Sequence, residues 1–247
     1  YETEQITAVA GVRGAEAEDE ALHHLYYRRS MKGIALIDLQ KAYGKLRNTK
    51  DKLLKKDPNL KDLFFDPPIA NLHPESNYFQ SIVRSIIYQQ LSGKAAKKIH
   101  ERFIALFKLG KYPTPKDVLN ISEEELRTAG LSYMKAGYIK NVAIYFLENP
   151  FLNSVLDQKN DQEIIDLISS IKGVGVWTVQ MFLMFTLNRP DVFPVNDLAL
   201  QKGYSAYYKK KKLVDPKKMM DHSKKWIPHR TTMSLYFWRY LEGPFEW

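Results

Sequence analysis

Cysteine is absent from all 247 residues. Its absence excludes disulfide stapling, thiolate catalysis, and zinc or iron–sulfur sites built on thiolates. No uninterrupted apolar run approaches the roughly 18 residues of a membrane-spanning helix, and the first residues lack the basic-then-apolar order of a secretory signal. Stretches of alternating β-branched residues are missing, as are fixed-period repeats and any low-complexity tract beyond Lys209 to Lys212. The six histidines have no metal-ligand spacing, so no catalytic metal is expected. These absences point to an intracellular helical protein that meets no membrane.

What is present suits a globular chain. Hydrophobic residues make up 45% and aromatics 13%, and the length fits one large or two small domains. The net charge of +9 suits a polyanionic partner, because each Lys or Arg set against a phosphate releases counterions. Residues 1 to 30 run against that balance, with six acidic residues facing Arg13, Arg28 and Arg29. They are read as an N-terminal extension of unknown role, with Met31 an alternative start and residues 31 to 247 the working domain.

From Asp51 onward, polar caps and prolines precede segments with a 3.6-residue apolar period. Tyr78, Phe79, Ile82, Val83, Ile86 and Ile87 form one stripe, and Ser92 is positioned to cap a helix running to Phe107. Ser122 and Glu125 make a capping box. Further helices are predicted over Met134 to Leu147, Asp161 to Ile171, Val176 to Leu187, Asp197 to Tyr208, Pro216 to Lys225 and Pro228 to Leu241. The fold class expected is all-α.

Ile171 and Val176 leave room between their helices only for a tight turn, and Gly173 and Gly175 admit backbone angles that a Cβ forbids. Such a turn, backed by a helix N-terminus and by Lys172, can cradle a phosphate; it can equally be a plain helix C-cap. Trp177, Met181 and Phe185 share one face of the next helix, which suits a core stripe or a pocket wall. In "DVFPVNDLALQKG", Pro194 breaks the chain, Asn196 offers an N-cap and Asp197 opens a helix whose positive end favours a carboxylate. Taken alone, that acid reads as structural.

Together, "IKGVGVWT" and "LNRPDVFPVNDLAL" resemble the helix-hairpin-helix DNA glycosylase superfamily, and within it are most similar to the alkylpurine (3-methyladenine) DNA glycosylases. The similarity extends through "SIIYQQLSGKAAKKI", "LRTAGLSYMKAGYIKNVA" and "WIPHRTTMSLYFWRYLE", covering roughly residues 70 to 242 in the family's order. The resemblance implies a two-lobed helical bundle with DNA in the cleft between the lobes. One lobe would be built mainly from about residues 80 to 190, the other from the N- and C-terminal segments. The mixed α/β lobe of some bacterial relatives has no counterpart, since residues 31 to 70 are few and look helical.

The resemblance assigns roles. Asp197 matches the catalytic carboxylate. Lys172, Gly173, Val174, Gly175, Val176 and Thr178 match the hairpin that grips the DNA backbone, and Lys135 a basic residue on the DNA-facing side. Trp177, Met181, Phe185, Trp238 and Tyr88 fall at base-pocket positions. Gln90, flanked by Gln89 and Leu91, matches the wedge that fills the gap left by a flipped base. Trp226, Pro228 and Arg230 match a segment that orients the last helix. Members with lyase activity carry a nucleophilic lysine where this chain has Trp177, which implies a monofunctional enzyme leaving an abasic site. No cofactor is required, though a monovalent cation (Na+ or K+) at the hairpin fits the family.

The resemblance also implies double-stranded damaged DNA as partner, a monomer, and a location in the nucleoid or nucleus. Asn196 stands where relatives often carry an acid, altering the charge beside Asp197. Two rivals stay open: the same fold acting on deaminated or oxidised bases, and a non-catalytic DNA-binding module.

Overall fold

The computed structural model describes residues 49–64, 77–91, 93–107 and 110–242. Residues 1 to 30 and the proposed cap Ser92 lie outside them. Among the described residues the chain is helical, with no strand, and no helix is long and apolar enough to cross a membrane. A helical segment at 49–56 leads to a 3₁₀ turn at Pro58–Leu60, then α1 (Tyr78–Tyr88), α2 (Gly93–Ala105), α3 (Pro115–Leu119), α4 (Glu123–Thr128) and α5 (Tyr133–Glu148). After these come α6 (Leu152–Asp157), α7 (Asp161–Ser169), α8 (Val176–Phe185), α9 (Leu198–Tyr207), α10 (Pro216–Ser223), a 3₁₀ turn at Lys224–Trp226 and α11 (Arg230–Glu242).

Local chemistry starts most of these helices. Reciprocal capping boxes open α3 (Thr114 with Asp117), α4 (Ser122 with Glu125) and α7 (Asn160 with Glu163), each satisfying two orphan donors. Ser132 caps α5 by accepting from the Lys135 amide. Helix α8 differs: its N-cap is Gly175, which brings no side chain to its first turn.

Two sets of helices result. In the first, α5 packs on α1, α3 and α4, while α8 packs on α1 and α7. The stripe on α1 from Tyr78 to Ile87 is buried as its periodicity predicts; at about 1.5 to 3 kcal/mol per large side chain, it is worth on the order of 10 kcal/mol as an upper bound. Helix α8 is buried almost all round, since Val179, Met181, Phe182, Leu183, Met184 and Phe185 are all enclosed.

In the second set, α9 lies against α11. Gly203 makes that approach possible, because any Cβ there would overlap the backbone carbonyl of Phe237. The N-terminal segment joins this set. Asp57 is buried and receives the Lys225 ammonium at 2.7 Å and the Trp226 indole N–H at 3.3 Å. Burial alone would raise its carboxyl, but the hydrogen bond and charge of Lys225 hold it below the ordinary value. Lys56 donates to the Ile227 carbonyl at 2.6 Å, the Tyr207 hydroxyl donates to the Asn59 carbonyl, and Phe64 meets Tyr236 edge-on at 4.7 Å.

Three details differ from the sequence expectation. Helices α3 and α6 are short elements that hydrophobic periodicity passed over. Several ends fall a residue or two inside the predicted bounds, α7 stopping at Ser169 and α8 at Phe185. And Asn196 does not cap α9: Asp197 does, with extended backbone and Oδ1 accepting the Leu200 amide at 2.6 Å.

Candidate active site

The turn between α7 and α8 is braced from within. Gly173 has φ +100°, and its bare Cα rests where a Cβ would overlap the Tyr138 ring of α5. The Val174 amide closes the turn on the Ile171 carbonyl at 2.9 Å. Asn141 donates to the Lys172 carbonyl at 3.1 Å, and Gln89 donates to the Gly173 carbonyl at 3.4 Å. With these carbonyls drawn inward, Gly175 and the first turn of α8 form the outer surface, with Lys172, Gly175 and Val176 exposed and Val174 buried.

Immediately behind the turn, the Trp177 indole N–H donates to Asp197 Oδ2 at 2.8 Å. The Trp238 indole, from α11, donates to Oδ1 at the same distance. With the Leu200 amide, three donors converge on one partly buried carboxylate. The Phe185 ring stacks on Trp238 with centroids 6.2 Å apart and planes 20° from parallel, and Met181 is enclosed in the same helix. Asp197, Trp177, Phe185 and Trp238 are thus assembled into one constellation from three separate segments.

The loop before Asp197 is anchored to the start of α11. Arg230 reaches both oxygens of Asp191 at 2.8 Å. Burial would raise the Asp191 carboxyl, but the Arg230 hydrogen bonds and charge bring it below the ordinary value. Thr231 donates to the Arg189 carbonyl and accepts the Val192 amide, while Ser234 donates to the Val192 carbonyl. These contacts fix the register between the carboxylate's loop and Trp238.

The remaining candidates are placed differently from one another. Gln90 and Leu91 sit exposed at the end of α1, Gln90 with left-handed backbone at φ 56°. Gln89 instead points inward, its amide donating to the Thr178 hydroxyl at 2.8 Å. Thr178, expected on the DNA backbone, is instead buried as a whole residue, its hydroxyl accepting from Gln89. Lys135 donates to the carbonyls of Ile87 and Gln89 at 2.9 and 2.7 Å, and burial lowers its pKa. Tyr88 belongs to another aromatic group, edge-on to His100 with the Arg84 guanidinium 5.5 Å from its ring.

Sequence reasoning passed over Asn141 and Tyr138, whose contacts cross from α5 to the hairpin and leave no local pattern. It also passed over Tyr133 and Met134, each 64% exposed at the start of α5 beside Lys135. Large apolar residues directly after a cap were the signal available for those two.

A tight GxG hairpin that delivers a tryptophan onto a helix-capping aspartate defines the class. The family model described as "HhH-GPD superfamily base excision DNA repair protein" matches residues 83–229, and the chain belongs to that superfamily. It is 32% identical over 162 residues to DNA-3-methyladenine glycosylase 1 of Schizosaccharomyces pombe, covering 65% of this chain and 71% of that one. It is 31% identical over 198 residues to the DNA-3-methyladenine glycosylase of Saccharomyces cerevisiae, covering 72% and 66%. Among solved structures, the S. pombe 3-methyladenine DNA glycosylase in complex with abasic DNA superposes with a TM-score of 0.71 at 29% identity, covering 81% of this chain and 100% of that one.

Proposed function

We infer that the chain is a base excision repair glycosylase that flips an alkylated purine, such as 3-methyladenine or 7-methylguanine, out of duplex DNA and hydrolyses its N-glycosidic bond. The observation that carries the reading is the Asp197 carboxylate, gripped by two indole N–H groups beside a stacked aromatic pair.

A purine alkylated on a ring nitrogen is already cationic. Its bond to C1′ breaks with the electron pair passing to the base, which leaves neutral without a general acid. The sugar is left with oxocarbenium character, the usual demand on a glycosidase carboxylate. Three donors occupy three of the roughly four acceptor directions of Asp197, and the direction left is on Oδ2. That oxygen faces the developing cation or holds the water that adds to C1′, yielding an abasic site. Fixed charge aimed at a developing cation is worth about 2 to 4 kcal/mol of barrier. Trp177 occupies the position of a lyase lysine, so no Schiff base forms.

Phe185 and Trp238 are the rings offered to the flipped base, where a cationic ring gains about 0.5 to 2 kcal/mol; both are buried in this structure, 5% and 4% exposed, so the base must displace their cover to stack on them. Met181 is buried one turn before Phe185 on the same helix. Gln90, aided by Leu91, fills the vacated stack. The hairpin N–H groups of Gly173, Gly175, Val176 and Trp177, with Lys172, hold the backbone phosphates, while the Val174 amide is spent on the turn itself. The chemistry requires no cofactor. A monovalent cation is compatible with the hairpin, since the carbonyls of Lys172 and Gly173 each accept a single side-chain amide and keep a second lone pair; when bound it adds positive charge near the phosphate. One chain serves one lesion as a monomer, and work on chromosomal DNA implies a nucleoid or nuclear location.

The test is to incubate wild type and Asp197→Asn with methylated duplex DNA, measuring released base and alkali-labile sites. Asn keeps the cap, so the variant is expected to fold and bind while excision falls by about 100-fold or more. Release of no base by either protein, with equal binding, would instead establish a non-catalytic DNA-binding module.

A further inference from the structure

The end of α1 is held from two sides by groups that no step of the excision chemistry uses. Lys135, in the first turn of α5, donates to the carbonyls of Ile87 and Gln89. Such carbonyls at a helix C-terminus carry partial negative charge and attract an ammonium. The Gln89 side chain, one residue further on, crosses to the hairpin and bonds both Thr178 Oγ1 and the Gly173 carbonyl. Between these anchors the chain turns sharply. Gln89 is extended, with φ −51° and ψ 127°, and Gln90 is left-handed at φ 56°. A side chain in that region costs about 1 to 2 kcal/mol and persists only where its surroundings dictate it.

We propose that Lys135 and Gln89 are positioning residues: together they lock the turn that presents Gln90 and tie it to the phosphate-gripping hairpin, so that grip and insertion act as one rigid unit. The proposal rests on the reading of Gln90 as the gap-filling side chain. Lys135 therefore acts through backbone carbonyls rather than by touching DNA, and its partial burial, which lowers its pKa, fits a buried clamp better than a phosphate contact. A preset turn matters most when the lesion is paired, because unpairing and unstacking cost a few kcal/mol and that cost is least for a base already single-stranded.

The experiment is single-turnover excision of 7-methylguanine opposite cytosine in duplex and in the same strand alone, for Lys135→Met, Lys135→Arg, Gln89→Leu and Gln90→Ala. Lys135→Met and Gln89→Leu are expected to slow the paired lesion about tenfold while the single strand stays within about twofold of wild type. Lys135→Arg, which keeps the donors, should recover most of the duplex rate. Equal losses on both substrates, or no loss in a folded variant, would overturn the proposal. If Lys135→Met does not fold, Gln89→Leu decides. Slowing by Gln90→Ala alone, with both anchor variants unaffected, sinks the clamp but spares the wedge; a silent Gln90→Ala sinks both.

Discussion

The indole of Trp238 donates to Asp197 Oδ1 at 2.8 Å while its ring stacks on Phe185. One side chain thus orients the acid and stacks on a second ring, and two substitutions separate the jobs. Trp238→Phe keeps a ring but deletes the N–H, leaving an acceptor short of a donor; a cost of about 1 to 3 kcal/mol predicts excision slowed roughly 5- to 150-fold. Trp238→Ala should fall further. Neither should weaken binding to undamaged duplex comparably, as gel-shift titration would reveal. Parallel losses in binding and excision would assign Trp238 a folding role only.

The two hairpin glycines should respond oppositely to alanine. At Gly173 a Cβ would overlap the Tyr138 ring on a backbone with φ +100°, so Gly173→Ala is expected to lose about 2 kcal/mol or more in urea melts. At Gly175 nothing lies within 4 Å of the added carbon and φ is −86°. Gly175→Ala should therefore melt like wild type yet bind duplex DNA more weakly, since only an approaching backbone would meet the methyl group.

Acid should destabilise the protein through His100. Burial first, and then the Arg84 charge, pull its pKa from 6.5 to about 4. Between those values the unfolded chain binds a proton that the folded one refuses, so stability falls as pH drops from 6.5 towards 4. The linkage amounts to about 3 kcal/mol. His100→Phe should flatten urea-melt stability across that window; an unchanged slope would mean the ring accepts its proton in place.

Arg230→Lys tests the anchored loop. A lysine cannot span both oxygens of Asp191, so the fork is lost. With both side chains largely enclosed, a drop of about 1 to 2 kcal/mol in stability is expected, together with slower excision because the loop leading to Asp197 loosens. Wild-type excision with reduced stability would show that the fork serves the fold alone.

The helices were legible where a cap and a period coincided. Ser122 with Glu125 and the stripe from Tyr78 to Ile87 announce themselves locally, and α1 and α4 follow. Helix α6 follows Phe151, an N-cap that makes no side-chain hydrogen bond, and gave no such signal. The site was legible in a different way. Nothing in the spacing of Trp177, Asp197 and Trp238 forecasts their convergence, which the family resemblance supplied and the coordinates display. The inward turn of Gln89 and the clamp by Lys135 were not legible, because both depend on α1, α5 and the hairpin meeting in space. Asn196 drew the capping role because it precedes the acid, yet the carboxylate reached the Leu200 amide itself.

Gly203 is buried, and its bare Cα lets α9 seat directly on the Phe237 carbonyl. The neighbouring residue is Trp238, and the head of α9 is Asp197. A missing methyl group thereby sets the gauge between acid and indole, and a mutational scan should rank this silent position among the least forgiving in the molecule.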